Sequence, residues 1–116
     1  MVENLIDPVE WEMFTSLGDA ATLRELLDAY LSDSPELIEQ MRSGVAVGNI
    51  EQVRRAAHSL KSNSASLGAT HLTTASRELE LLAKGGTLDG AAEKLAAVEA
   101  AYAQIVPLLE KMKNEL

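Results

Sequence analysis

Residues 49–68 read NIEQVRRAAHSLKSNSASLG, and this stretch contains the start, the buried face and the end of one helix. Asn49 followed three residues later by Gln52 resembles a capping box, and Gly68 is a typical C-terminal stop. At about 100° per residue, the apolar and small residues gather on one side of the helix. Those residues are Val53, Ala57, Leu60, Ser64 and Leu67. This side is expected to face a core, so the stretch predicts a protein built from packed helices.

His58 lies on the opposite side of the same helix and is predicted to be exposed. Its neighbours at helical spacing are Arg54, Arg55, Lys61 and Ser62, with Ala65 two turns on. Between Gln52 and Arg77 there is no Asp or Glu, although the chain has 18 acidic residues and a formal net charge of -8. Basic, small-residue surroundings suit a histidine that accepts a doubly anionic phosphoryl group, because the uncharged ring is a nucleophile and cations favour the arriving charge. The alternative is a packing or idle surface histidine.

The rest of the chain also has helical patterning. Apolar residues recur at spacings of three and four, and no useful length shows the β-branched alternation of a strand. The predicted helix starts are Asp7-Pro8, Asp19, Ser34-Pro35, Asn49, Thr70 and Asp89, and the predicted stops include Gly18, Gly48, Gly68, Lys84 and Gly85-Gly86. Pro107 is expected to kink or loosen the last helix.

Six helices with short connections predict an all-α protein. We expect an antiparallel four-helix bundle of up-and-down topology with an additional short N-terminal helix. The four longer C-terminal helices are predicted to form the bundle, while the N-terminal helices cover one end or side. At 116 residues, the chain is predicted to be a single domain, residues 1–116, with one core.

Composition restricts the possible functions. The chain has no Cys, which excludes disulfides and thiolate metal sites, and without an apolar signal segment we expect a cytoplasmic protein. Its apolar stretches are too short to span a bilayer, and its negative charge argues against nucleic acid or membrane binding. Two His residues on separate helices, without a His-Glu-x-x-His pattern, predict no metal site and argue against a hydrolase or metal enzyme. We therefore expect protein partners and a monomeric chain.

Residues 57–69, AHSLKSNSASLGA, resemble the signature of histidine-containing phosphotransfer domains of two-component phosphorelays. The shared pattern is a His, a Lys three residues later, small residues and then Leu-Gly. The similarity extends through Leu72 to Leu79-Glu80, and more loosely to residues 33–37 and the Leu-rich C-terminal helix. It implies a helical bundle whose exposed His relays a phosphoryl group between receiver-domain aspartates, or takes one from a kinase. The implied partners are response-regulator receiver domains or a hybrid sensor histidine kinase, with no cofactor on this chain and a divalent metal in the receiver.

The same resemblance implies individual roles. His58 would be phosphorylated on Nε2, and Lys61 would stabilise the phosphoryl group. In the related domains of chemotaxis kinases, a Glu on the next helix bonds the other ring nitrogen, and the matching residue is Glu80, which could equally be an exposed helix acid. Many members have Gly directly after the Lys, whereas this chain has Ser62, a difference that concerns partner fit. The predicted binding residues around the ring are Arg54, Arg55, Ser62 and Ala65.

Family members dock receivers through apolar residues of their first helices. The candidates here are Ile6, Val9, Met13 and Leu17, each of which could equally belong to the core. His71 has no Lys at the matching spacing and is interpreted as structural or incidental. The favoured function is a phosphocarrier without independent catalytic turnover, and the alternative is a helical adaptor in which His58 is idle.

Overall fold

The computed structural model describes residues 5–116, which form five α-helices and no strand. They are α1 (Pro8–Thr15), α2 (Ala20–Val47), α3 (Ile50–Leu67), α4 (Thr70–Lys84) and α5 (Ala91–Asn114). The first four residues, which the predicted domain includes, lie outside the described part. None of these five helices is long and apolar enough to cross a membrane. The predicted all-α class is confirmed.

The predicted break at Ser34-Pro35 is wrong. The predicted second and third helices are one continuous helix, α2, with Pro35 inside it. Pro35 is solvent-exposed, and the buried stripe of α2 runs past it without interruption. That stripe consists of Leu23, Leu27, Tyr30, Ser34, Ile38 and Met41. An interior proline costs about 3 kcal/mol, whereas each large apolar side chain gains roughly 1.5 to 3 kcal/mol on burial, so packing overrides the local stop signal.

The last helix differs only slightly from its prediction. α5 begins at Ala91, two residues after the predicted start at Asp89, and follows Gly90, whose φ of 83° is left-handed. Pro107 lies inside α5, and the helix continues beyond it to Asn114. The proline therefore does not end the helix.

Four of the helices enclose one core. α2 packs on α3, α3 on α4, and α4 on α5, and α5 returns to pack on α2. The short connections make consecutive helices antiparallel. All five residues of α3 that were predicted to face the core are buried. This confirms the predicted four-helix bundle with an extra N-terminal helix, although its first long helix is α2, which begins at Ala20.

α1 is held against the C-terminal end of α3 by close backbone contact. The Asp7 N–H donates to the Gly68 carbonyl at 2.7 Å, and Gly68 has a left-handed φ of 78°. A Cβ at this position would lie 2.9 Å from the Asp7 carbonyl oxygen and 2.9 Å from the Glu10 Cβ. Gly68 is therefore required both by the turn and by the packing of α1.

Two buried serines in this core differ in their hydrogen bonding, so we expect opposite changes in stability when each is replaced by Ala. The Ser64 hydroxyl shares a 2.8 Å hydrogen bond with the Tyr30 hydroxyl, whereas the buried Ser76 Oγ has no hydrogen-bond partner among the described residues. We expect Ser76→Ala to raise the free energy of unfolding by about 1 kcal/mol, because an unpaired buried hydroxyl is costly. Ser64→Ala should lower it by about 1 to 3 kcal/mol by leaving Tyr30 unpaired. Urea denaturation measures both, and a less stable Ser76→Ala variant would contradict the first expectation.

Candidate functional site

His58 lies in the middle of α3, at the edge that faces α4. Its side chain is 55% exposed, as the helical periodicity predicts. Its Nδ1 atom lies 2.6 Å from Oε2 of Glu80 on α4. Because Nδ1 faces a buried carboxylate, the exposed part of the ring is the side that carries Nε2. The two ring nitrogens are therefore in different environments.

Glu80 is buried, with only 6% of its side chain exposed, and it contacts two basic side chains. Besides His58 Nδ1, its carboxylate lies 2.5 Å from Lys61 Nζ. Burial raises the pKa of the Glu80 carboxyl, but the hydrogen bonds from Lys61 and His58 outweigh this and hold the pKa below its ordinary value. Glu80 therefore stays ionised at neutral pH, and it is not an exposed helix acid.

Lys61 is less exposed than the sequence predicts. Its side chain is 25% exposed, and the ammonium is bound to Glu80 instead of extending into solvent. The helical wheel of α3 placed Lys61 near His58 correctly, but it contained no information about α4, which supplies the carboxylate. Lys61 therefore belongs to a three-residue cluster with His58 and Glu80.

Arg54 and Arg55 are both paired with an acid that lies just outside the acid-free window. Arg54 Nε donates to Glu51 at 3.0 Å, and Arg55 Nε lies 3.8 Å from the same carboxylate. The hydrogen bond to Glu51 raises the pKa of Arg54, and the hydrogen bond from Arg54 lowers the pKa of Glu51. Glu51 was not among the predicted site residues, although its spacing of three and four residues from the arginines predicts these ion pairs. The field of these arginines at His58 is therefore reduced.

The surface beside His58 is built from small residues. Ser62 and Ala65 are exposed, as predicted, and Val9, Met13 and Leu17 of the N-terminal region are exposed large apolar side chains. Ile6 is not available for docking, since it is 6% exposed and packs in the core. An exposed surface of small and apolar side chains thus lies on the α1 side of the ring.

His71 lies elsewhere on the bundle. It is exposed at the start of α4 and lines a groove between α4 and α5 with Glu78 and Ala97, away from α3. Among residues 5–116, no group of three or more His, Asp or Glu side chains could hold a metal ion.

The buried carboxylate of Glu80 makes Lys61 a stabilising residue. We expect Lys61→Ala to lower the free energy of unfolding by about 1 to 3 kcal/mol at pH 7, because Glu80 loses a charged hydrogen-bond partner. In the parent, the lowered pKa of Glu80 contributes stability above about pH 4.5, which is lost as the pH falls. Without Lys61, the pKa of Glu80 should be lowered less, so this contribution should be smaller and the stabilities of the parent and the variant should converge as the pH falls below about 4.5.

The matched control for Lys61→Ala is Lys94→Ala, which breaks the exposed 2.9 Å pair between Lys94 and Glu78 of α4. Exposed pairs contribute little, so this control should change stability by less than about 1 kcal/mol. Urea denaturation between pH 4 and pH 8 compares the variants. Equal stability of the two at every pH would show that the Lys61 contact with Glu80 contributes no more than an exposed pair.

Comparison with solved structures shows the same fold. Histidine-containing phosphotransfer protein B (HptB) from Pseudomonas aeruginosa PAO1 superposes with a TM-score of 0.89 at 24% identity, covering 97% of this chain and 96% of that one. A candidate histidine-containing phosphotransfer protein from rice superposes with a TM-score of 0.83 at 21% identity, covering 97% and 81%. At these identities the likeness establishes the fold alone. No curated protein matches the sequence significantly.

The sequence itself matches a family model. Residues 25–107, well over half of the chain, match the model of the Hpt domain. This region contains all of α3 and α4, and therefore His58, Lys61 and Glu80. The match agrees with the motif of residues 57–69 and with the fold of the solved structures. The chain belongs to the Hpt domain family.

Proposed function

We propose that this protein is a phosphorelay phosphocarrier in which His58 accepts a phosphoryl group from a receiver-domain aspartate, or from a kinase, and passes it to a response-regulator receiver. The observation that carries the proposal is the 2.6 Å contact between His58 Nδ1 and Glu80 Oε2. An ionised carboxylate accepts a hydrogen bond, so it favours the tautomer with the proton on Nδ1. Nε2 then has a free lone pair on the exposed side of the ring.

In this tautomer the transfer requires no proton to leave the ring. The Nε2 lone pair attacks the phosphorus of an aspartyl phosphate, the nitrogen–phosphorus bond forms, and the phosphorus–oxygen bond breaks. The aspartate carboxylate leaves with the electron pair. The Nδ1 proton stays in its hydrogen bond to Glu80, whose negative charge compensates the positive charge that the substituted ring acquires. Transfer to the next receiver reverses these steps.

Lys61 supports the transferred group in this proposal while it remains bound to Glu80. An ammonium group has three N–H donors, and one contact to Glu80 leaves donors for a phosphoryl oxygen. Arg54 and Arg55 contribute a weaker field, since both are paired with Glu51. Ser62 and Ala65 provide space for the approaching receiver.

The chemistry assigned to this chain is that of a nucleophile and a docking surface, without independent turnover. In the proposal, the divalent metal belongs to the partner receiver, and no cofactor binds to this chain. The partners are receiver domains or a hybrid sensor histidine kinase, and this chain binds them as a monomer. Composition alone supports a cytoplasmic location, because the chain contains no Cys.

The test is transfer from a phosphorylated partner. Receiver domains from the same genome are phosphorylated with radiolabelled acetyl phosphate in the presence of Mg²⁺, freed of the donor, and mixed with the protein. The expected product carries label that is lost in acid and kept in base, as a phosphoramidate bond requires. If no receiver gives such a label, His58 is idle and the adaptor function is favoured instead.

Ser62 is expected to lie under the docked receiver. Ser62→Trp should therefore block phosphoryl transfer with little change in melting temperature, because the position is exposed and the ring of Trp fills the approach. Ser62→Gly should transfer at the parental rate or faster. The matched control is Ala96→Trp, which adds the same ring to an exposed site of α5, a helix that packs on α4 and α2. Equal transfer by Ser62→Trp and the control would place the receiver on another face.

A further inference from the structure

Arg77 of α4 is an exposed cation near His58 that is not engaged by an acid. It makes none of the ion pairs or side-chain hydrogen bonds found among residues 5–116. The other cations around the ring differ in this respect. Lys61 is bound to Glu80, and Arg54 and Arg55 are bound to Glu51. The charges of these three cations are partly neutralised by the acids that they bind, whereas Arg77 has no such acid partner among the described residues.

The position of Arg77 follows from the register of α3 and α4. Arg77 precedes Glu80 by three residues, so the two side chains lie one turn apart on neighbouring positions of the same helix. Glu80 contacts His58, and Arg77 therefore lies one turn of α4 away from the residue that holds the imidazole. It also lines an open groove of about 300 Å³ together with Ala65 of α3, Gly68 and Thr73. The small Ala65 side chain leaves the path along the α3–α4 edge open.

Two neighbours qualify this assignment. Glu10 of α1 lines the same groove but forms no ion pair with Arg77. Lys84 is also exposed and unpaired among the described residues, and it lies one turn from Glu80 on the other side. Arg77 is favoured over Lys84 because it flanks the small-residue side at Ser62 and Ala65, where the partner is expected to approach. Its planar guanidinium also matches two phosphoryl oxygens at once, which an ammonium cannot do.

We propose that Arg77 contacts the phosphoryl group on its way to and from His58 Nε2, forming a bidentate pair with two phosphoryl oxygens. This inference rests on the proposed phosphocarrier function and adds a binding residue to it. The pair forms only when the phosphoryl group is present, so the Arg77 side chain is solvent-exposed in the free protein. Removal of Arg77 should slow the transfer step itself, and it should leave receiver docking unchanged.

The test compares Arg77→Ala, Arg77→Gln and Arg77→Lys with the parent. Transfer from the radiolabelled receiver is timed over a range of receiver concentrations. We expect the maximal rate for Arg77→Ala and Arg77→Gln to fall at least tenfold, as the loss of a charge-assisted hydrogen bond predicts, with an unchanged half-saturating concentration. Arg77→Lys should recover part of the rate. Melting temperatures should stay at the parental value, because the side chain is exposed.

Lys111→Ala is the matched control, since it removes an exposed cation, unpaired among residues 5–116, from α5, which packs on α4 and α2. Equal rates for Arg77→Gln and this control would overturn the inference, because Arg77 would then act only through the net charge of the protein. A rise in the half-saturating concentration alone would also overturn it, because Arg77 would then bind the receiver and not the phosphoryl group. If the parent acquires no acid-labile label, the proposed function fails instead, so the two failures are distinguishable.

Discussion

His58→Gln is expected to abolish phosphoryl labelling completely while leaving helicity and melting temperature nearly unchanged. Gln has no nucleophilic ring nitrogen, so no acid-labile bond can form at this position. The side chain is 55% exposed, and the Gln amide N–H can still donate to Glu80, so little stability should be lost. The measurement is the acid-labile label acquired from a phosphorylated receiver, together with circular dichroism during thermal unfolding.

His71→Gln is the matched control, because it makes the same change on the exposed surface of the neighbouring helix. It should keep the parental label, since His71 faces the groove between α4 and α5. Labelling that persists in His58→Gln would refute the phosphocarrier proposal for this residue. Unfolding of His58→Gln would show that the contact with Glu80 is mainly structural.

Glu80→Ala is expected to slow phosphoryl transfer by about 10- to 100-fold, the range seen when the carboxylate partner of a metal-binding histidine is removed. Without the Glu80 carboxylate, the imidazole proton can occupy either nitrogen and the ring can rotate. Both changes reduce the fraction of His58 that presents a free Nε2 lone pair. The readouts are the transfer rate and the nitrogen chemical shifts of the imidazole, which report the tautomer by NMR.

Glu80→Gln separates the hydrogen bond from the charge. The Gln carbonyl can still accept from Nδ1–H, but it cannot form the ion pair with Lys61. This variant should therefore keep the parental tautomer and transfer faster than Glu80→Ala. If Glu80→Ala keeps both the tautomer and the transfer rate of the parent, Glu80 is a structural residue and does not orient the His58 imidazole.

The local rules of helix formation predicted most of the elements. The N-cap at Asn49, the stop at Gly68 and the boundaries of α4 all agree with the structure, because caps and stops depend on residues within one turn. The capping box is only half formed, since the Gln52 side chain donates to Gln40 and Ser43 and does not accept from the Asn49 backbone N–H. The same rules failed at Ser34-Pro35. There the gain from burying Tyr30, Ile38 and their neighbours along one face outweighs a local signal that is correct in isolation.

The electrostatic prediction was less accurate than the helical one. The acid-free window from Gln52 to Arg77 indicated a basic surface, yet Glu51 and Glu80 at its edges neutralise three of its cations. A count along the sequence treats charges as neighbours only when they are close in the chain. In the folded protein, a carboxylate from the next helix is as close as one from the next turn.

By itself, the sequence determined that His58 would be exposed and that Val53, Leu60 and Leu67 would be buried, because these are properties of one helix with 3.6 residues per turn. The family resemblance implied a contact between Glu80 and the ring nitrogen other than Nε2, but only the tertiary structure contains the physical reason for it. Glu80 is 22 residues away and reaches Nδ1 only through the antiparallel register of α3 and α4. The register is fixed by close packing of two apolar faces, and no single-helix periodicity encodes it.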